Sequence, residues 1–510
     1  MKKTILKYFS TIFIILLIIK LIDVFKNLLV ASKLGVSDSA DIFMGLISIP
    51  DSLIVLVGID SMKGVINSEF TSMHSLNKDF IVWDLFNKLC NFIFWTSIIF
   101  TLLIIFTRTY IIDIILPGFS GIKKEIALSI ALIIFPMFFL KSLTGIFHAS
   151  LNSLKKFYFP VIINIIPTIF VIISIFLPYI NENMIYNLSF AVLLGNIMIF
   201  IFSFFRIVQL GGYFKFDFLF FNTDTVKILK SCGNIILLLF FEQVYNISRN
   251  FFASYFGEGA ISSLNYARTI PLALMGLIFA TIFSVLLTNL SQLLSLEIRK
   301  KVKDLFTDVL LGLLFITIPI IIILLLNDKE FLTVLYLRGK YTMSGLEMTL
   351  LPFRWEVISM LSFILYMIPT ALYLAKKEYK KLNRIGSIVF IAGILSNFIF
   401  VKLFGFYGVS ISYFIVCGIY GVLLIYNTRK YFGKYSIEVK TFFKIIISGV
   451  ITYLLSYFLK IQLNLQHTYE LKINFLIITI SAIFIIVVYV LITNFMKVNY
   501  LKNLVNVVLK

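Results

Sequence analysis

Apolar runs long enough to cross a bilayer recur along nearly the whole chain, separated only by short polar joints. Crossing about 30 Å of hydrocarbon takes about 20 residues of helix. Inside that layer each backbone N–H and C=O must be paired within its own segment, which leaves a helix bundle as the simplest solution. Composition agrees: 60% of the 510 residues are hydrophobic and 14% charged, with a mean hydropathy of +1.01. Soluble domains carry about a quarter charged residues, because something polar must face water. The expected fold class is an all-α polytopic membrane protein with about fourteen transmembrane helices and no water-soluble domain.

The apolar periodicity places helices near 7–31, 41–63, 80–107, 124–149, 159–179, 185–208, 226–256, 261–290, 303–326, 346–374, 383–403, 405–427, 442–460 and 472–496. Met1-Lys2-Lys3 followed by an apolar run imitates a signal peptide. However, Lys20, Asp23 and Lys26 interrupt the run and no small-residue cleavage site follows, so a retained first helix is expected.

The formal charge of +20 would suggest nucleic acid in a soluble protein. In a polytopic chain it first reports topology, since Lys and Arg stay on the cytoplasmic side. With both termini inside, the cytoplasmic loops hold Lys155 and Lys156; Arg299, Lys300, Lys301 and Lys303; Lys376, Lys377, Lys380 and Lys381; and Arg429, Lys430 and Lys434. The opposite loops are shorter or carry Asp38, Glu182, Glu258 and Glu470. Lys123, Lys124 and the segment around Arg338 are the exceptions. A multi-pass membrane protein with both termini in the cytoplasm follows, with no nucleic-acid partner and no obligate protein partner inferred.

Cys90, Cys232 and Cys417 are scattered through predicted helices, as are His74, His148 and His467. No disulfide framework or metal spacing results, and small apolar packing residues are the plainer reading of the cysteines.

Three patches recur at an offset of about 221 residues, the length of six helices. Leu34-Gly35 leading to Pro50 is echoed by Phe256-Gly257 leading to Pro271. Lys155-Lys156 is echoed by Lys376-Lys377, and Pro117-Gly118-Phe119 falls opposite Arg338-Gly339-Lys340. An even number of helices keeps both copies in one orientation, related by a pseudo-two-fold along the membrane normal. The expected organisation is an N-lobe of helices 1–6 (1–208), a cytoplasmic linker loop (209–228), a C-lobe of helices 7–12 (229–427) and two further helices (428–510). That is the plan of a transporter whose lobes rock around a midplane site.

Charges within the bilayer cost about 2.5–3.5 kcal/mol each on insertion scales and normally face a cavity or a partner. Lys20, Asp23 and Lys26 share one face of helix 1; Glu242, Asn246 and Arg249 share one face of helix 7. Asp41, Arg268, Arg354 and Glu356 complete the inventory. Two readings stand for each. Lys20–Asp23 and Glu242–Arg249 are spaced to neutralise each other, and Lys26, Asp41 and Arg268 lie near enough to helix ends to snorkel. Alternatively, two stripes with surplus positive charge line a hydrated cavity for an anion, which suits phosphate.

Particular residues resemble a known family, the MurJ/MviN lipid II flippases of the multidrug/oligosaccharidyl-lipid/polysaccharide exporter superfamily. The similar patches are Leu34-Gly35 with Asp41, Phe43 and Pro50; Leu116-Pro117-Gly118-Phe119; Gly257 to Ser262 with Leu264-Asn265-Tyr266-Ala267-Arg268; Pro271, Gly276 and Ala280-Thr281; Leu337-Arg338-Gly339 with Tyr341 and Thr342; and Leu403-Phe404-Gly405 with Gly408. The resemblance spans roughly residues 20–420. It implies fourteen helices in two lobes and flipping of an undecaprenyl-diphosphate-linked cell-wall precursor to the outer leaflet. It also implies roles for Lys20, Lys26, Asp41 and Arg268 at the substrate and for Arg338 and Gly339 as a motif, while the two polar stripes add Arg249 at the substrate and Asp23, Glu242 and Asn246 in gating positions. This chain departs from the family at helix 2, where apolar Ile54 and Val55 replace an expected basic residue and Ile59-Asp60-Ser61 replaces Glu-Gly-Ala. Lys in place of Arg at positions 20 and 26 also loses bidentate geometry.

The expected function is thus a transporter rather than an enzyme, working by alternating access on a lipid-linked diphosphate-sugar. No cofactor is expected, though Glu242 and Asn397 are candidates for a coupling cation. The alternatives are a Wzx-like exporter of another lipid-linked polysaccharide unit and a cation-coupled multidrug extruder, which should prefer an acidic cavity. A membrane glycosyltransferase lacks its catalytic carboxylate pair and metal loop here.

Overall fold

The computed structural model describes residues 2–76, 79–178, 183–218, 223–278, 282–432, 438–463 and 470–498. Glu182, Ala280, Thr281, Lys434 and His467 from the sequence reading lie outside them. All regular structure among the described residues is helical, in twenty segments. Ten of these helices or helix pairs are long and apolar enough to cross a membrane. Only 17% of the most apolar stretch of Leu471–Phe495 and 28% of that of Tyr379–Phe404 are buried inside the protein. Such apolar faces are stable only against lipid.

Several expected spans are broken. The second becomes Asp38–Leu56 and Ile59–Ser75, separated at Gly58 with φ 86°. A Cβ at Gly58 would lie 2.5 Å from the Ile236 side chain, so glycine serves both conformation and space. The fourth is Gly121–Ile134 then Met137–Ser153, interrupted at Phe135-Pro136, where Pro withholds a helix N–H. The fifth is Tyr158–Ile163 and Ile166–Ser174.

The internal repeat extends to features the sequence did not announce. Short helices Arg108–Ile115 and Asp328–Tyr336 precede the Pro117-Gly118 and Arg338-Gly339 turns, respectively. Lys155 and Lys377 are both left-handed, at φ 59° and 57°. In each case the next residue donates its N–H five residues back, Lys156 to Leu151 and Glu378 to Tyr373, both at 2.9 Å. These are matching Schellman-type helix ends.

The chain divides into two compact units, residues 1–262 and 263–510. In the first, helix Thr223–Ser254 packs along Asp38–Leu56 and Ile59–Ser75. Polar side chains fasten it: Gln243 Nε2 donates to Ser52 Oγ at 2.7 Å and Asn250 Nδ2 to Ser48 Oγ at 3.2 Å. In the second unit, Arg299–Leu326 is the central helix, packed against Met343–Ala375, Val439–Gln462 and Leu471–Phe495. Its buried residues Phe306, Leu310, Leu314 and Phe315 anchor a continuous apolar core that includes Ile364, Met367, Ile445 and Tyr489.

Candidate functional site

The charges of the first helix meet those of its neighbours inside the first unit. Lys20 Nζ lies 3.8 Å from Asp23 Oδ2, both side chains being partly exposed. Asp23 also accepts a 2.6 Å hydrogen bond from Thr168 Oγ1 on helix Ile166–Ser174. Partly buried Lys26 is within electrostatic range of Asp23, Lys20 and Lys141.

Lys141 opens onto a cavity of about 390 Å³ lined by the broken second span, Met137–Ser153 and Gln243. Two ion pairs occupy its wall. Lys141 Nζ is 2.5 Å from Asp51 Oδ1, and Lys63 pairs with Asp60 one helical turn before it. The Asp51 side chain is about half exposed, so the pair is accessible from the cavity. Lys63 has room because Gly145 faces it: a Cβ there would stand 2.5 Å from Lys63 Cε. His148 lines the same space, its Nε2 3.1 Å from Ser203 Oγ. Ile54 and Val55, where the resemblance expects a basic group, are also in this wall.

Lys63 and Lys141 escaped the sequence inventory. Between Ile126 and Leu154, Lys141 is the only charged residue. A lone lysine in so apolar a run was the available signal. The cavity wall holds two lysines, Lys63 and Lys141, and two carboxylates, Asp51 and Asp60; with Lys20, Lys26 and Asp23 in electrostatic range, lysines exceed carboxylates by one. Ammonium groups form charge-assisted hydrogen bonds with carboxylate and phosphate alike.

Asp41 has a different environment. It is fully buried and accepts from Lys123 Nζ at 2.9 Å, Gly259 N at 2.8 Å and Ser262 N at 2.7 Å. The last two donors begin helix Ala260–Ile278, so the carboxylate caps orphan N–H groups and meets the positive end of the helix dipole. Three donors thus hold the carboxylate. Nearby, the Gly118 N–H donates to Ser254 Oγ at 3.0 Å, and a Cβ on Gly118 would overlap the Ser254 carbonyl at 1.9 Å. The Pro117-Gly118-Phe119 patch is therefore a close backbone contact. The exceptions to the charge rule are neutralised locally: Lys123 also pairs with Asp38 at 2.6 Å, and Lys124 with Asp113 at 2.6 Å.

The remaining expected residues are dispersed. Glu242 and Asn246 are partly buried; among the described residues Glu242 has no ion-pair or hydrogen-bond partner, so the spacing-based Glu242–Arg249 pair is not formed. Arg249 is 5% exposed. In the second unit, Arg268 donates through Nε and Nη2 to Asn265 Oδ1 at 3.2 and 2.8 Å. Arg338 Nη2 donates to the Val334 and Leu335 carbonyls at 2.7 and 2.8 Å, closing the last turn of Asp328–Tyr336. With Gly339 at φ 60°, this motif is a helix stop and turn. Glu356 is buried and accepts from Ser410 Oγ at 2.8 Å, while Arg354 pairs with Asp328.

Comparison with known proteins places these features. A family model described as lipid II flippase MurJ matches residues 30–479. The chain is 25% identical over 411 residues to the probable lipid II flippase MurJ of Buchnera aphidicola subsp. Schizaphis graminum, covering 80% of each. It is 24% identical over 428 residues to the lipid II flippase MurJ of Burkholderia cenocepacia, covering 79% of this chain and 80% of that one. A solved lipid II flippase MurJ in an inward closed conformation shares the fold with a TM-score of 0.80 at 22% identity, over 96% of this chain and 98% of that chain. An inward-facing multidrug resistance transporter of the MATE family aligns at a TM-score of 0.67 and 12% identity, over 81% and 94%. With a family match across most of its length, this all-α polytopic membrane protein is a distant member of the lipid II flippase MurJ family.

Proposed function

We propose that this chain flips lipid II, or a closely similar undecaprenyl-diphosphate-linked precursor, from the inner to the outer leaflet of a bacterial cytoplasmic membrane. The observation that supports the substrate reading is the cavity whose wall sets Lys63 and Lys141 beside Asp51 and Asp60, with Lys20 and Lys26 against Asp23 in electrostatic range, an excess of one positive charge over the whole group. Lysine holds phosphate as a point charge without demanding one orientation, which suits a head group that must be released again. Lys63 and Lys141 supply the positive charge that Ile54 and Val55 do not.

In this mechanism the diphosphate displaces Asp51 and Asp60 from their lysines while the polyprenyl tail stays in lipid. The functional lobes are 1–208 and 229–427, with 428–510 as two appended helices and both termini cytoplasmic. Alternating access then exposes the head group outside. Lys20 adds positive charge along the route; Glu242 and Asn246 line it. Moving an anion outward against an inside-negative potential is downhill by about 2.3 kcal/mol per charge per 100 mV, so the potential can bias transport.

Depleting the protein in its host tests the assignment. Lipid II should accumulate in the inner leaflet, and Lys26→Ala should fail to relieve it at normal expression. Accumulation of a different lipid-linked glycan would favour the Wzx-like reading.

A further inference from the structure

We propose that the second unit binds a zwitterionic phospholipid, of the phosphoethanolamine class, in a cavity where Arg354 holds the phosphate and Tyr453 and Tyr457 hold the ammonium. This site is separate from the transport cavity and does not depend on the substrate carried there. The cavity measures about 700 Å³ and lies between helices Arg299–Leu326, Met343–Ala375 and Val439–Gln462. It occupies the ends of the first and third helices remote from Arg299, Lys300 and Lys440, which the charge pattern puts at the outer leaflet. Between Lys460 and Tyr453 it extends seven residues along its helix, about 10 Å of rise, the depth of a head group and the first carbons below it.

Its chemistry matches a zwitterion better than a net anion. Arg354 pairs through Nε with Asp328, and its side chain is 42% exposed. Among the described residues its two terminal NH2 groups are unengaged, and that fork suits two phosphate oxygens. The Asp328 carboxylate already balances the guanidinium, and Glu330 balances Lys460 at 2.8 Å, so the wall carries no surplus positive charge. A second, positive group on the ligand is therefore favoured. The Tyr453 and Tyr457 rings lie nearly parallel, 9° apart with centroids 6.1 Å apart, and Trp355 lines the same space. Aromatic faces attract an ammonium. Tyr457 is half exposed and Ile461 more so, which leaves a lipid-side opening for the acyl chains.

Native mass spectrometry of the detergent-solubilised full chain tests this, with phosphatidylethanolamine or phosphatidylglycerol of identical acyl chains added separately. Phosphatidylethanolamine adducts should predominate on the wild type. They should fall about fivefold in Arg354→Gln and about threefold in Tyr457→Leu, with phosphatidylglycerol adducts unchanged. Arg354→Gln leaves buried Asp328 without its cation and can disturb folding; Tyr457→Leu at a half-exposed ring carries no such risk and stands alone as a test. Equal adduct formation by the two lipids on the wild type, or unchanged phosphatidylethanolamine adducts in Tyr457→Leu, would overturn the proposal.

Discussion

Lys141 and Asp51, ninety residues apart in the chain, meet with 2.5 Å between ammonium nitrogen and carboxylate oxygen at the wall of a water-reachable cavity. If the pair reserves an ammonium for an arriving phosphate, its two members are unequal. Lys141→Ala should reduce transport at least about tenfold, the loss of one charge-assisted phosphate contact. Asp51→Asn should preserve most activity. Complementation of a depleted host at normal expression, with membrane levels matched by immunoblot, distinguishes this from a purely structural pair, for which both changes would cost alike.

Gly145 faces Lys63 so closely that any side chain must displace the Lys63 stem. Gly145→Ala should leave thermal stability within about 1 kcal/mol, because a flexible lysine can move. It should nonetheless lower transport severalfold by re-aiming the ammonium. The pair of measurements is a melting temperature and a complementation titre on the same variant.

Asp41 stands in contrast, being fully buried and held by three donors. Asp41→Ala removes the acceptor for two backbone N–H groups and strands Lys123 beside Asp38 alone. A destabilisation on the order of 3–5 kcal/mol is expected, as for other broken buried pairs. The readout is loss of folded protein in a fluorescence-detected size-exclusion melt, before any question of substrate arises.

At the Lys376–Lys381 turn, burial pushes the Glu378 carboxyl up, but hydrogen bonds from Lys381 and Tyr431 outweigh it and hold it below its ordinary value of 4.5. A depressed carboxylate contributes stability above its unfolded value that is lost as pH falls through the folded one. Glu378→Gln should therefore melt below the wild type at pH 7, and the difference should begin to shrink as pH falls below 4.5 and vanish once pH is below the folded-state value. The test is the melting difference between the two proteins measured across that range.

Much of the architecture is legible in the sequence because lipid imposes one rule on every span: a long apolar helix with its backbone bonds satisfied internally. The loop charges that depart from the pattern, Lys123, Lys124 and Arg338, each find local carboxylates or carbonyls that sequence distance conceals. Helix breaks are harder to read. Gly58 and Pro136 look like many other residues tolerated inside spans, and only the neighbour at Ile236 reveals what Gly58 admits. The site was half visible. Lys20, Asp23 and Lys26 announce themselves by interrupting one helix, whereas Lys63 and Lys141 matter because separate helices bring them to one cavity. Asp41 stands out in the charge inventory and in the resemblance, whereas its three donors come from segments that no single-helix pattern brings together.

Translocation in vesicles reaches the central claim most directly. Purified protein would be reconstituted with fluorescent lipid II in one leaflet, and the fraction becoming accessible to an impermeant quencher outside followed with time. The account predicts transfer well above protein-free vesicles, faster with an inside-negative potential and lost when Lys63 and Lys141 are both changed to Ala. Transfer no faster than in protein-free vesicles, or a double variant as active as the wild type, would contradict it.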